Sequence, residues 1–323
     1  MTKRCPACGG ELRHWRAATA SDPHLAGRRD YALSRCVACG TARIELPPGT
    51  VPPSSLYEAG AYAAPHPVLG RLLEPLRALV EWDKLRFVRG LPPGARVLEV
   101  GAGDGRFVSR LQAAGFDARG IEPSEGGFRM ARARAAPVEQ AGLEELDLEP
   151  ASLDAAIAWH VLEHLDDPAG ALERVGTWLR PGGLAVVACP NLASLQARIG
   201  GDRWFHQDVP RHRTHFTDTG LRVLLERTGF RPERISHLLV EQNPLGMWQT
   251  LLNLLTREPN VAFRMLKRDL GRGSGAGRDI LVTAIAGPPL AFIAVALELA
   301  AGFLGRGGSV VAVAARRRRS EAR

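Results

Sequence analysis

Residues 96–107 read Arg-Val-Leu-Glu-Val-Gly-Ala-Gly-Asp-Gly-Arg-Phe, an apolar run broken by a glycine turn and followed by a helix-forming pattern. Few folds accept that order. Glycine at every second position lets the backbone take left-handed angles and pass close to a ligand, and the helix behind it favours negative charge at its N-terminus. The spacing is Gly-x-Gly-x-Gly, not the Gly-x-Gly-x-x-Gly of dinucleotide folds, and no Lys-Ser/Thr follows, which excludes a phosphate-gripping P-loop. Glu99 falls inside the apolar run, where an unpaired carboxylate is costly, so a positive group near the turn is expected. Seventeen residues after Gly105, Glu122 ends the next apolar run in Gly120-Ile121-Glu122-Pro123-Ser124. A carboxylate there suits a pair of ribose hydroxyls.

Apolar runs and helical patterns alternate around this turn. Strands are expected at 96–100, 117–122, 138–141, 153–159, 184–189 and 235–241, with a last one at 309–315. Helices are expected at 67–89, 106–113, 126–135, 169–179 and 217–228, the last with Thr217 and Asp218 as caps and Gly229 as its end. Short apolar strands separated by helices imply an α/β fold with a parallel sheet covered on both faces. Hydrophobic residues make up 45% and charged residues 24%, enough apolar content to build such a core and too much for a disordered chain.

Cys5-Pro-Ala-Cys8-Gly9 and Cys36-Val-Ala-Cys39-Gly40 form two knuckles with 27 residues between them, across which 13–20 and 31–34 can pair as strands. Four thiolates suit tetrahedral Zn(II), with Cys5, Cys8, Cys36 and Cys39 as ligands in a structural zinc ribbon that leaves no open position. Cys189 stands alone in a strand and reads as core.

The pattern strand-Glu99-x-Gly101-x-Gly103-x-Gly105, with Glu122, the His160-x-Leu162-Glu163-His164 segment and the Gly229-Phe230 helix end, resembles the class I S-adenosylmethionine-dependent methyltransferases. The resemblance covers about 96–236 plus the last strand. It implies a Rossmann-like, doubly wound, mainly parallel seven-stranded sheet, with the zinc ribbon before it and a helical insertion before the last strand. It further implies that Glu99, Gly101, Ala102, Gly103, Asp104 and Gly105 hold the methionine part of S-adenosylmethionine. Glu122 and Pro123 would then meet the ribose, Gly142 and Leu143 the adenine, and Trp159 and His160 the cofactor's edge. Where the family often has Asp, this chain has Ala141, so adenine contacts would come from backbone groups.

Read alone, His160-x-x-Glu163-His164 has the form of a metalloprotease motif, but a strand-to-helix junction is the wrong context for one. Some quinone O-methyltransferases hold a divalent ion with acidic and His residues at these spots. The other reading is that Glu163 and His164 only brace the loop.

Between the fifth strand and the next helix, residues 202–216 gather three histidines with arginines and aromatics, above the carboxyl ends of the strands where open sheets bind ligands. His212 or His215 is a candidate base, since imidazole titrates near neutrality. The stretch is similar to a His-Glu-His-x-x-Tyr-Phe segment of sugar C-methyltransferases, with Arg211 in place of Glu and His215 in place of Tyr.

Residues 280–304 carry one charge, Glu298, and Pro288-Pro289 is expected to leave a 290–304 helix of about 22 Å, too short for a bilayer core of roughly 30 Å. A dimer face, a lid and a membrane-surface hairpin all remain open for this segment. The formal net charge of +8 divides into +4 over 1–46, near −3 over 47–256 and +7 over 257–323. Basic flanks around a slightly acidic centre favour an acidic surface for the flanks and speak against nucleic acid on the core.

The expected organisation is 1–46 zinc ribbon, 47–90 linker and helical lead-in, 91–243 cofactor-binding domain, 244–308 helical insertion and 309–323 last strand with a basic tail. The first residues lack an apolar signal core, which predicts a cytoplasmic protein, with contact at the inner membrane face left open. The expected activity is methyl transfer to O or C of a small or lipid-linked acceptor of quinone, sugar or polyketide type. An RNA methyltransferase and a non-catalytic cofactor-fold binder are the alternatives.

Overall fold

The computed structural model describes residues 4–19, 30–46, 74–240, 242–266 and 276–318. The proline-rich connector at 47–53, the 55–62 segment and the first part of the expected 67–89 helix lie outside them.

Near the N-terminus, β1 (Leu12–Thr19) and β2 (Asp30–Cys36) pair antiparallel with Arg13 opposite Arg35, and β3 (Ala42–Glu45) joins β2. After α1 (Glu74–Leu85), strands and helices alternate as β4 (Arg96–Val100), α2 (Arg106–Ala113), β5 (Asp117–Ile121), α3 (Glu125–Ala133), β6 (Val138–Glu139), β7 (Leu153–Trp159), α4 (Pro168–Trp178) and β8 (Leu179–Pro190). Then come α5 (Leu195–Gly200), β9 (Thr214–His215), α6 (Asp218–Arg227) and β10 (Phe230–Ser236). The last elements are α7 (Gln242–Leu255), α8 (Val261–Leu266), α9 (Ala276–Phe303) and β11 (Ser309–Arg316).

Seven strands form one sheet in the order β10-β11-β8-β7-β4-β5-β6. Every pair from β8 to β6 is parallel, while β11 runs antiparallel to both β8 and β10. Strand side chains alternate between faces, so Leu98 and Val100 enter a core with Ile121, Val187 and Leu224. Val97 enters the opposite core with Phe107, Leu111 and Ile157. Glu99 shares the Val97 face by the same alternation. Helix ends follow local chemistry: the Ser124 and Thr217 hydroxyls accept from the Gly127 and Gly220 N–H groups, and Asp167 caps α4 just ahead of Pro168.

Four expectations change. The strand expected at 235–241 lies at Phe230–Ser236, because Gly229, at φ 86°, turns the chain directly from α6 into β10. The strand expected to start at 184 already starts at Leu179. The strand expected to run to 141 stops at Glu139. Finally, Pro288-Pro289 does not break the last long helix. α9 continues through both prolines for 28 residues, about 42 Å. It packs on α7 there, with Trp248 Nε1 donating to the Gly287 carbonyl at 2.8 Å.

Candidate active site

The turn after β4 takes left-handed angles at Gly101, Gly103 and Gly105, with φ 70°, 55° and 71°. A Cβ on Gly101 would stand 2.6 Å from Val161 Cγ2, and one on Gly105 would stand 2.5 Å from Ala136. The turn is tied to the next strand, with Ala102 N–H on the Ile121 carbonyl at 2.8 Å and Gly103 N–H on Glu122 Oε2 at 2.9 Å. The other Glu122 oxygen accepts from the Ser124 backbone and hydroxyl. Asp104 pairs with Arg134 at 3.2 Å. Pro123 follows Glu122 into the α3 cap. Gly101→Ala combines backbone strain with the Val161 collision, so it should cost about 1–3 kcal/mol of stability and most S-adenosylhomocysteine binding. Thermal unfolding checks it, and an unchanged Tm with intact binding would sink this reading of the turn.

Glu99 is buried, and its Oε2 has no hydrogen-bond partner. Burial pushes its pKa up to about 8, with Glu81, Asp104 and Glu122 adding to the rise and Lys84 opposing it. Lys84, on α1, is the positive group the sequence called for. Its ammonium lies 5.3 Å from the Phe107 ring centroid and 5.4 Å from that of Trp159. The Glu81/Lys84 spacing on an amphipathic helix was the available signal, but nothing local linked α1 to β4. A buried carboxyl with an orphaned oxygen beside a left-handed glycine turn fits a cationic amino-acid ammonium.

Gly142 N–H donates to Glu145 at 2.7 Å, and Leu143 lines an apolar pocket with Val100, Ala158, Val161 and Leu162. Trp159 packs on Phe87 with ring centroids 5.7 Å apart. His160, next in the chain, holds φ 56°, a strained angle for a non-glycine residue. Val161 then touches the Gly101 turn, so the His160–His164 segment abuts the glycine loop.

Behind this turn the histidines converge. Glu163 is buried, with Oε1 3.0 Å from His160 Nδ1 and Oε2 unpartnered. Burial alone would push Glu163 up, but the His160 hydrogen bond and the nearby imidazoles hold it at about 2. His164 Nδ1 donates to the Arg211 carbonyl, and the His164 and His212 rings meet edge-on at 4.8 Å. Donor atoms of Glu163, His164 and His212 all lie within 4.8 Å of one another. His212 Nδ1 donates to the His206 carbonyl at 2.8 Å, leaving Nε2 3.9 Å from Asp208. Burial lowers His212 to about 4, so its imidazole is neutral at pH 7. His206, a member of the 202–216 stretch not singled out from sequence, stacks on His160 at 6.1 Å, and burial lowers it to about 3.

His215 is placed differently. It lies in β9, paired with Ala42 of β3, and its Nε2 donates to the Gln207 carbonyl at 2.7 Å. This pairing joins the N-terminal sheet to the larger domain. Thr217 Oγ1 donates to the Cys39 carbonyl at 2.6 Å, and Arg227 to that of Ala7 at 2.8 Å. The four cysteines come together, with Cys5–Cys39 and Cys8–Cys36 sulfur separations of 3.6 and 3.3 Å. Gly9 and Gly40 take φ 73° and 75° in the two knuckles. Four converging sulfurs at that spacing fit one tetrahedral metal ion.

The family model described as a methyltransferase domain matches residues 73–235. A 110-residue stretch is 36% identical to an uncharacterized protein of Mycobacterium tuberculosis, covering 31% of this chain and 38% of that one. A 176-residue stretch is 27% identical to a ubiquinone biosynthesis O-methyltransferase of Azorhizobium caulinodans, covering 50% of this chain and 69% of that one. The chain thus spans about two fifths of the length of the first relative. A solved S-adenosylmethionine-dependent methyltransferase of Thermotoga maritima is 27% identical over 51% of this chain and 77% of its own, with a TM-score of 0.41. With the family match covering half the chain and falling on the glycine turn, Glu122 and the sheet, this protein belongs to the methyltransferase-domain family, class I and S-adenosylmethionine-dependent.

Proposed function

We propose that the protein moves a methyl group from S-adenosylmethionine to an oxygen or carbon of a small or lipid-linked acceptor, and that Cys5, Cys8, Cys36 and Cys39 hold a structural zinc ion. The observation that carries the first reading is Glu99, a buried carboxylate with an orphaned oxygen beside the left-handed glycine turn. When bound, the sulfonium supplies an already activated methyl group, so the protein's task is alignment and exclusion of water. Glu99 would hold the ammonium, the turn from Gly101 to Gly105 would bring backbone close to the ligand, and Glu122 would take the ribose. Gly142 and Leu143 would border the adenine, with Trp159 and His160 at the cofactor's edge.

Between the two candidate bases we assign proton removal to His212. It is neutral at pH 7, with Nδ1–H engaged and Nε2 turned toward acidic groups. His215, in β9 against the N-terminal sheet, is assigned a positioning role. The ubiquinone O-methyltransferase names among the relatives favour a phenolic hydroxyl as acceptor.

Isothermal calorimetry with S-adenosylhomocysteine, followed by transfer of labelled methyl to prenylated catechols, tests the reading. Binding with transfer to the catechol oxygen is expected. His212→Gln should lower kcat by about a hundredfold or more with little change in S-adenosylhomocysteine affinity. Absence of binding would remove the cofactor claim, and an H212Q enzyme with normal kcat would remove the base.

A further inference from the structure

Around Glu163 the described residues leave hydrogen-bond acceptors without donors. Glu163 is 1% exposed and ionised, and a carboxylate only accepts, so the proton in its 3.0 Å contact with His160 belongs to the imidazole Nδ1. In an imidazole a proton on Nδ1 makes Nε2 an acceptor, and His160 Nε2 is buried without a partner. Glu163 Oε2 is orphaned in the same way. His212 repeats the pattern. Its Nδ1–H goes to the His206 carbonyl at 2.8 Å, and its Nε2 lies 3.9 Å from Asp208, beyond hydrogen-bond reach. The guanidiniums of this loop are committed elsewhere, Arg211 to Asp208 and Arg213 to Asp166.

These acceptors share one place. Glu163 holds His160 through one oxygen, and its carboxylate lies within 4.8 Å of a His212 ring nitrogen. His160 N–H donates to the Ala188 carbonyl of β8 at 2.9 Å, which pins the residue at the carboxyl end of β7 in its left-handed conformation. The next residue, Val161, borders the Gly101 turn. His160 thus stands between the glycine turn and His212, and the two imidazoles flank one carboxylate.

We infer, resting on the methyl-transfer reading above, that His160, oriented by Glu163, is a specificity-determining residue that takes a hydrogen bond from a second hydroxyl of the acceptor, next to the one methylated. A lone hydroxyl gives its single proton to His212 as its oxygen takes the methyl group and the carbon–sulfur bond breaks. His160 Nε2 is then left with no donor. A neighbouring hydroxyl supplies one and keeps its own proton throughout. The acceptor class is therefore an ortho-dihydroxy aromatic ring. An acceptor with one hydroxyl leaves a buried nitrogen unpaired, the kind of mismatch that a hydrogen-bonding site rejects most strongly.

Calorimetry on the full chain saturated with S-adenosylhomocysteine, titrated with a prenylated catechol and with the prenylated phenol that lacks one hydroxyl, tests this without turnover. The catechol is expected to bind at least about tenfold more tightly. His160→Asn tolerates the left-handed angle but has no Nε2, and should bring the two ligands within about twofold of each other. Glu163→Gln can turn an amide N–H toward Nδ1 and move the ring's proton to Nε2, so it should cut the preference by at least about threefold. Equal affinities in the wild type, binding of neither ligand, an unchanged ratio in either variant, or a preference that appears only with added magnesium would overturn the inference. The wild-type comparison depends on no variant folding. A protein that takes no S-adenosylhomocysteine would lose the methyltransferase reading and this role with it, whereas one that takes it without preferring the catechol would lose only the role of His160.

Discussion

Affinity for S-adenosylhomocysteine is expected to rise with pH, by up to about tenfold per unit between about pH 6 and pH 8, and Glu99→Gln should abolish that dependence. The reason is the Glu99 environment. Burial lifts its pKa from an ordinary 4.5 to about 8, so the free protein holds a neutral carboxyl at pH 7. The sign follows from that direction. A folded-state pKa above the unfolded one stabilises the free protein at low pH, and this contribution is lost as pH rises through about 8. An ammonium placed on the same oxygen needs the ionised form, so binding below pH 8 must expel a proton and weakens as protons become abundant. At pH 8 the variant should bind at least about tenfold more weakly, the magnitude of one lost hydrogen bond to a charged group. Calorimetry in buffers of different ionisation heat reads the proton release directly. A pH-independent wild type, or an E99Q protein binding like wild type at pH 8, would show that the ammonium does not sit on Glu99.

On the zinc proposal, chelation or Cys39→Ser should destabilise the protein beyond the N-terminal sheet. Structural zinc sites supply about 10 kcal/mol or more of folding free energy in isolated fingers. That sheet is fastened to the larger domain by the β3–β9 pairing, the Thr217 hydroxyl on Cys39 and Arg227 on Ala7. β9 follows directly on the loop that carries His206 and His212. Loss of the ion should therefore lower Tm by roughly 10 °C and slow methyl transfer about tenfold or more, while S-adenosylhomocysteine affinity changes little. One zinc per chain by atomic emission is expected before chelation. A metal-free protein with the same Tm would show that the cluster is not a metal centre.

The two predictions differ in how much of their basis was legible in the sequence. Glu99, the glycine turn, Glu122 and the two cysteine knuckles are local patterns. Backbone sterics and strand or helix periodicity act over a few residues, so the order of types is enough to read them. The alternation of strands and helices carried the layered sheet for the same reason. Where local signals compete, tertiary packing decides the element boundaries. β10 starts at Phe230 because the Gly229 turn needs no further linker, and α9, packed on a neighbouring helix, runs through two prolines.

What the chain's own order of residues determined is the set of parts: a glycine turn with two placed carboxylates, a four-cysteine cluster, a doubly covered sheet and an apolar late segment. Tertiary structure alone decided how they meet. It brought Lys84 within electrostatic reach of Glu99, joined β3 to β9, gathered the histidines around Glu163 and packed α9 on α7 with its apolar face outward. Those contacts bridge up to 173 residues of chain, the separation of Ala42 and His215. Burial and desolvation select them only when the whole core closes, and no local pattern encodes that choice.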